Sequence, residues 1–471
     1  MSRHIREHSV VAPMNRSFFF DTALLPSGWS REVHVLVRDG LIQSVRADAA
    51  VLPGEERAAI VVPGLPNVHS HAFQRAMAGL TERRGPQSSD DFWSWRELMY
   101  RFLARLDADE LEAIAAYAYA DMLEAGFTSV GEFHYLHRSP QGALYANPAE
   151  LALRHLAAAD ATGIGLTLLP VFYEASDFGG AAPKPGQRRF LTDLETYADI
   201  VERVRAASGD RLGRGVGIAP HSLRAVAPEH LAALLRLYPI GVRHIHAAEQ
   251  LKEVNDCIAW SGRRPVEWLL EHAALDARWC LVHATHLTAT ESAALARSGA
   301  VVGLCPITEA NLGDGTFPAP AFMAAAGHWG VGTDSNIELD AAGELRQLEY
   351  SQRLSSHTRN ALSTSEQPST GRFLFQSALA GGAQALGQRV GAIAAGYRAD
   401  LLVLDECHPD LAGRSGDAVL DTWIFAGGRA LIREVIAAGE TVVERHRHRA
   451  RERIDRAYRD VVARLMHSSG P

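Results

Sequence analysis

Apolar and polar positions change rhythm twice along the chain. From about Ser17 to Val62 the pattern is strand-like. Phe18–Phe20, Val33–Val37 and Leu41–Val45 are short β-rich runs, and Asp39-Gly40 between the last two is a turn signal. From Pro63 to about Gly387, short apolar runs alternate with Ala- and Leu-rich helical stretches. The runs include Thr128–Phe133, Gly165–Phe172, Gly215–Ala219, Val242–Ala247, Cys280–Ala284, Ala300–Leu304 and Gly330–Thr333. The helices include Asp109–Ala125, Glu150–Thr162, Leu191–Ala206, Pro228–Leu237 and Thr290–Ser298. Such alternation predicts a parallel sheet with crossover helices. Eight units of this kind close a barrel of roughly 250 residues or more, which this stretch allows. After Gly391 short strands return at Leu401–Leu404, Thr422–Phe425, Leu431–Val435 and Glu440–Val443.

The expected fold is therefore α/β: a (β/α)8 barrel of the TIM type over residues 63–387, flanked by a small β-sandwich domain. Residues 1–62 and 388–445, the two chain ends, build that sandwich. In the tail, residues 446–471, Ile454, Tyr458, Val461, Val462 and Leu465 form one helical stripe. That stripe predicts a helix packed on the domain surface, with a basic interaction tail as the alternative.

Composition narrows the function classes. At 471 residues the chain suits one large domain plus a smaller one. A formal net charge of -8 leaves no basic footprint for nucleic acid. Arginine is abundant, but lysine occurs only at Lys184 and Lys252. Cys257, Cys280, Cys305 and Cys407 form no CxxC pair, so buried reduced thiols are expected rather than disulfides or a thiolate zinc site. The start of the chain carries no apolar h-region, and no run of 18 apolar residues exists to cross a membrane. A cytoplasmic protein, a homodimer, is expected.

Four places carry candidate chemistry. His69 and His71 are two apart in Val61–His71, a spacing that turns both imidazoles to one face of a strand. His246 closes the run Val242–Ala247, and Glu249 follows three residues on, within reach of the same site as a proton carrier. His244 shares the face of His246 one layer deeper, as a core residue or a support. His283 closes Cys280–Ala284, and Asp334 follows Gly330–Thr333. Each feature alone is common. Together they place imidazoles and a carboxylate at the ends of the first, fifth, sixth and last strands of one barrel. His69, His71, His246 and Asp334 would hold one divalent metal; Zn²⁺ suits such a shell best, with Fe²⁺ or Mn²⁺ as alternatives. A water activated there could attack a carbon–nitrogen centre. Asp334 would take a proton, His283 would stabilise the tetrahedral intermediate or orient the water, and Glu249 would carry a proton to the leaving nitrogen.

The segment Pro63–His71 resembles the first metal motif of the amidohydrolase superfamily, and Gly391–Leu401 resembles the strand pair that follows the barrel there. His246, His283 and Asp334 match the later barrel positions. Binuclear members often bridge two ions with a carboxylated lysine, but neither Lys184 nor Lys252 ends a mid-barrel strand, so the resemblance implies a mononuclear site. His71–Glu82, Asp91–Arg96, Glu132–Tyr135, His221–Arg224 and His246–Gln250 resemble the formimidoylglutamate deiminase family more closely. That resemblance implies hydrolysis of N-formimino-L-glutamate, a small dicarboxylate amidine, to N-formyl-L-glutamate and ammonia in histidine degradation. It implies that Gln74, Arg96, Tyr135, His221 and Arg224 hold substrate. Arg96 and Arg224, on loops after different strands, could each grip a carboxylate bidentately. Two alternatives remain at this stage: a guanine-type or other aminated-ring deaminase with the same shell, and an inactive barrel used as a scaffold.

Overall fold

The computed structural model describes residues 15–84 and 91–467. The segment before Asn15 and the end of the tail, on which part of the outer domain limits rest, lie outside the described residues.

Strands from both chain ends join in one eight-stranded sheet. It contains β1 (Asn15–Leu25), β2 (Gly28–Arg38), β3 (Leu41–Arg46) and β4 (Glu56–Pro63) from the start of the chain. Four more strands come from the end: Leu401–Leu404, Ile432–Ala437, Glu440–Glu444 and Arg447–His448. The two groups meet where β4 pairs antiparallel with Leu401–Leu404. Period-two alternation gives this sheet two apolar faces with different partners. Phe18, Phe20, Val33, Val35, Val37, Leu401 and Val403 close on one another in a core of their own. Leu24, Val62, Leu402, Leu404 and Val435 turn the other way, into the main core.

The middle of the chain forms two parallel sheets. One contains β5 (Leu65–Ser70), β6 (Phe127–His134), β7 (Gly165–Phe172) and β8 (Arg214–Val216), with β9 (Ala219–Pro220) paired to β7. The other contains β10 (Arg243–Ala247), β11 (Trp279–His283), β12 (Val301–Leu304) and β13 (His328–Val331). Isolated parallel bridges join them on both sides: Ile218 to Arg243 and Ser222 to His246, and Ser70 to Asp334. Every residue of β6 and β7 is buried. Helices cover their outer faces, which is why β7 reads as a nearly continuous apolar run, while β6 buries Thr128, Ser129, Glu132 and His134 among its apolar residues.

The covering helices start and stop where local chemistry dictates. α1 (Phe92–Leu103) and α2 (Ala108–Glu124) are capped by Asp91 and Asp107, and the Glu110 carboxylate accepts from the Asp107 amide at 2.7 Å. α3 (Glu150–Thr162) ends on Gly163 at φ 87°. α4 (Leu194–Ser208), α5 (Pro228–Leu237) and α6 (Leu251–Ser261) follow β7, β9 and β10. Gly332 serves the site directly. A Cβ there would lie 2.8 Å from both the N and the O of His69, so only glycine lets the chain after β13 run against β5.

Several expectations need correction. Thr422–Phe425 is not a strand. It ends the helix Asp417–Thr422 and enters a π-helical turn, Trp423–Gly427. The buried residues Val419, Leu420, Trp423 and Ile424 share a helical face, and Trp423 meets the Phe375 ring edge-on at 5.3 Å. Its β-branched and aromatic composition was outweighed by this packing. Gly391–Asp400 is a turn rather than the first of a strand pair, built around the buried Arg398–Asp400 ion pair at 2.8 Å. The run Gly215–Ala219 is broken at Gly217, whose position leaves no room for a Cβ beside the Val242 carbonyl. Three cysteines are buried and free, but Cys407 is exposed.

The tail is helical over Arg451–His467, with Ile454, Val461 and Leu465 buried. Tyr458 stacks on Tyr117 of α2 at 3.9 Å, and Arg451 pairs with Glu124 at 3.0 Å. This is the surface-packed helix, and Arg451 and Arg464 tie it to acidic residues of α2.

Candidate active site

His69 and His71 reach one point at the end of β5. Their Nε2 atoms lie 3.2 Å apart, and Asp334 Oδ1 stands 3.4 and 3.3 Å from them. Ligand-type atoms of His69, His71, His246 and Asp334 all fall within 4.8 Å of one another, and all four residues are buried. Bonds of about 2.0–2.1 Å to a tetrahedral centre would separate ligand atoms by about 3.3–3.4 Å, so these three spacings are those of a metal shell. The imidazoles are oriented for it. His71 Nδ1 donates to the Phe133 carbonyl at 2.9 Å and His246 Nδ1 to that of His221 at 3.1 Å, which leaves each Nε2 lone pair facing inward. Burial lowers the pKa of all three, that of His69 to about 3, so they are neutral donors. Burial alone would raise the Asp334 carboxyl, but the hydrogen bond from His69 and the attraction of the neighbouring imidazoles, the cationic His283 among them, bring it below its ordinary value. The residues thus fit a divalent ion.

Backbone strain marks the same place. Ala248, His283, Ala284, Asp334 and Asn336 all have positive φ, between 41° and 67°. The surroundings hold them there. Asn67 Nδ2 donates to Thr333 Oγ1 at 2.8 Å, and Asn336 Nδ2 donates to the His71 carbonyl at 3.0 Å. Glu132 accepts from the Ala72 amide at 2.7 Å, next to the metal-facing His71. These polar ties were not read from the sequence, because an Asn or Glu inside an apolar run carries no spacing signal.

A cavity opens above the cluster and is lined by Gln74, Arg96, Tyr135, His221, Arg224 and Glu249, together with Tyr100, Tyr173, Phe190 and His283. All five residues expected to hold substrate therefore face one space. Gln74 Nε2 donates to the Tyr135 hydroxyl at 3.0 Å, while its Oε1 is buried and has no partner among the described residues. Arg96 lies on α1, not on a loop; the stretch after β5 was long enough to hold a helix that the motif alone did not reveal. Its guanidinium rests on Trp93 at 4.4 Å and forms no ion pair among the described residues. Arg224 differs, standing 3.6 Å from Glu249 and 3.9 Å from Glu253.

Glu249 is buried between cations. Burial raises its pKa to about 7 against the opposing pull of His283 and Arg224. His283 Nε2 lies 3.7 Å from Glu249 and 3.9 Å from Asp334. Burial would lower the His283 pKa, but Glu249, a hydrogen bond to Glu309 and Asp334 push it up to about 10. Ligand-type atoms of His283, Cys305 and Glu309 also cluster. Glu309 Oε1 already accepts the Cys305 amide at 2.8 Å, which makes that group a hydrogen-bonded array.

The profile of the amidohydrolase family matches residues 60–442, and that of the formimidoylglutamate deiminase HutF N-terminal domain matches residues 16–59. Formimidoylglutamate deiminase of Pseudomonas aeruginosa is 52% identical over 455 residues, which cover 96% of this chain and 99% of that one. The chain belongs to the formimidoylglutamate deiminase family of amidohydrolases. A crystal structure of an amidohydrolase from Brucella melitensis superposes with a TM-score of 0.92 at 49% identity, covering 96% of this chain and 100% of that one. An adenosine deaminase from Xanthomonas campestris with bound zinc shares the fold, with a TM-score of 0.80 at 22% identity over 96% and 98% of the two chains.

As a formimidoylglutamate deiminase family member, the chain is a metal-dependent amidohydrolase with a buried His/His/His/Asp site. The lysines stand clear of that site: Lys184 precedes the turn Pro185–Gln187, and Lys252 is on α6 with its ammonium 5.6 Å from the Trp93 ring. No described helix is long and apolar enough to cross a membrane.

Proposed function

We propose that this chain hydrolyses N-formimino-L-glutamate and water to N-formyl-L-glutamate and ammonia, through one Zn²⁺ held by His69, His71, His246 and Asp334. The observation that carries the reading is the pairing of that cluster with two arginines on one cavity, one of them without an ionic partner among the described residues. A dicarboxylate needs two cations, and a planar guanidinium grips a carboxylate bidentately. An aminated ring would instead leave the half-buried Arg96 facing nothing of opposite charge.

Zn²⁺ in this shell supplies Lewis acidity and brings a water toward a pKa of about 7. The protein's own groups then divide the work. Arg96 and Arg224 hold the carboxylates, and Gln74 Oε1 offers an acceptor to an N–H of the amidine. Tyr135 and His221 close the walls. Burial and Arg224 keep His221 neutral, so it adds no further charge against an amidinium. Glu249 takes a proton from the bound amidinium, leaving a neutral carbon for water to attack. Asp334 faces the cluster through Oδ1 and His283 through Oδ2, and receives the proton of the attacking water. His283 donates to the oxygen of the tetrahedral intermediate. Glu249 returns its proton to the departing nitrogen and Asp334 adds the one it took from water, while the intermediate's hydroxyl proton passes to Glu249 as the carbonyl forms, so ammonia leaves rather than an amide anion.

The architecture that supports this is a closed (β/α)8 barrel over residues 63–387, its two sheets joined by the bridges at Ser70 and Ile218. Beside it the single eight-stranded sheet from the two chain ends, in place of the expected two-layer sandwich, folds over a core of its own, and the helix Arg451–His467 packs against α2. Ligands at strand ends on one face are where such barrels keep their chemistry. Ammonia release from synthetic formiminoglutamate, measured beside guanine, tests the function. Turnover of guanine alone overturns it.

A further inference from the structure

Glu253 lies on the first turn of α6 and is almost fully buried, behind the cavity-lining Glu249 and Arg224 rather than on the cavity itself. Its two oxygens accept the amides of Ala248 at 3.2 Å and Glu249 at 3.1 Å. A carboxylate at the third position of a helix ordinarily reaches back to the amide of the capping residue, here Gln250. Glu253 reaches past it to the segment that carries Glu249. That segment needs holding, because Ala248 sits at φ 52°, a conformation that L-residues rarely adopt. Glu253 Oε2 also lies 3.9 Å from Arg224 Nε, an atom that is buried with no hydrogen-bond partner among the described residues. Arg224 arrives from a different connection, the one after β9. It approaches Glu249 with its other nitrogen at 3.6 Å.

We propose that Glu253 is a positioning residue that couples the two halves of the site. Through its hydrogen bonds it fixes the backbone of the proton carrier Glu249, and through its charge it fixes the substrate-gripping side chain of Arg224. This rests on the roles given above to Glu249 and Arg224.

Glu253→Gln keeps the shape and one acceptor oxygen but removes the charge. Steady-state kinetics on formiminoglutamate should show KM raised and kcat lowered, each about tenfold, with zinc content unchanged. In a cycle with Arg224→Met, the double variant should have the KM of Arg224→Met alone, because the shared contact is already lost. Adding Ala248→Gly to Glu253→Gln should restore much of kcat, since glycine relieves the strained turn, while KM stays high. This second variant also guards against a Glu253→Gln protein that folds poorly. A plain helix cap would lower the melting temperature, leave KM unmoved and give additive effects with Arg224→Met; that result overturns the proposal. Unchanged hydrogen exchange at the Ala248 and Glu249 amides in Glu253→Gln overturns it as well, on a readout that needs no substrate. A wild type that releases no ammonia removes the reading beneath it and the proposal together, whereas an active wild type with an indifferent Glu253→Gln removes the proposal alone.

Discussion

His283 meets Glu309 through Nδ1 at 3.3 Å, and this contact leaves its Nε2 aimed at the carboxylates of Glu249 and Asp334. Glu309 is itself anchored by the Cys305 amide. A ring tied at one nitrogen presents the other in a fixed direction, and losing such an outer partner typically costs about 10–100-fold in activity at metal sites. Glu309→Gln should therefore lower kcat by about tenfold or more while KM and zinc content hold. Wild-type kcat in that variant would show that His283 needs no such tether.

Chelation should abolish activity, and added Zn²⁺ should restore it, with about one ion per chain by elemental analysis. The neutral, inward-facing imidazoles and the ionised Asp334 form a ready shell, so the folded protein gains stability from the ion by mass action. The melting temperature should fall on metal removal and rise with zinc concentration. Two ions per chain would contradict the mononuclear reading.

Glu249→Gln should retain zinc and substrate affinity but lose about 10²–10⁴-fold in kcat, the usual cost of a missing acid–base group. The pH profile follows from a Glu249 pKa raised to about 7. Below that value the carboxyl already carries its proton and cannot accept one from the amidinium. kcat/KM in wild type should therefore fall as pH drops through about 7. A profile flat to pH 5 would remove Glu249 from that role.

The parts legible in the sequence are those set by periodicity and by residues of strong chemistry. β7, α3 and α5 run over the residues the pattern predicts, because each has a one-sided apolar face with turn residues at its ends. His69, His71, His246 and Asp334 were legible because strand ends put them at one depth. Thr422–Phe425 was misread because a four-residue apolar run fits a strand and a buried helix equally, and only the contact with Phe375 decides. Glu253, Glu309 and Asn67 were silent for another reason. Their work is done by hydrogen bonds to backbone amides and neighbouring side chains, and those partners are set by the folded chain rather than by spacing.

Arg96 and Arg224 occupy one cavity but are held differently, and their removal should differ in kind. Arg96 stacks on Trp93 and has no ionic partner among the described residues, so an arriving carboxylate would complete it. Arg96→Met should raise KM and leave kcat nearly intact. Arg224 also stands beside Glu249 and Glu253, so Arg224→Met should raise KM and lower kcat together. Breaking one side of a buried charge pair costs about 3–5 kcal/mol, and so kcat/KM should fall by roughly two to four orders of magnitude in either variant. Zinc content should not change, because neither residue touches the cluster. A substrate analogue lacking one carboxylate should be turned over poorly by wild type. It should lose little more when the matching arginine is removed, since that contact is already absent. Equal further losses from both variants on the analogue would assign the arginines to structure rather than recognition. Full activity of Arg96→Met on formiminoglutamate would take that residue out of the site and return the aminated rings to consideration.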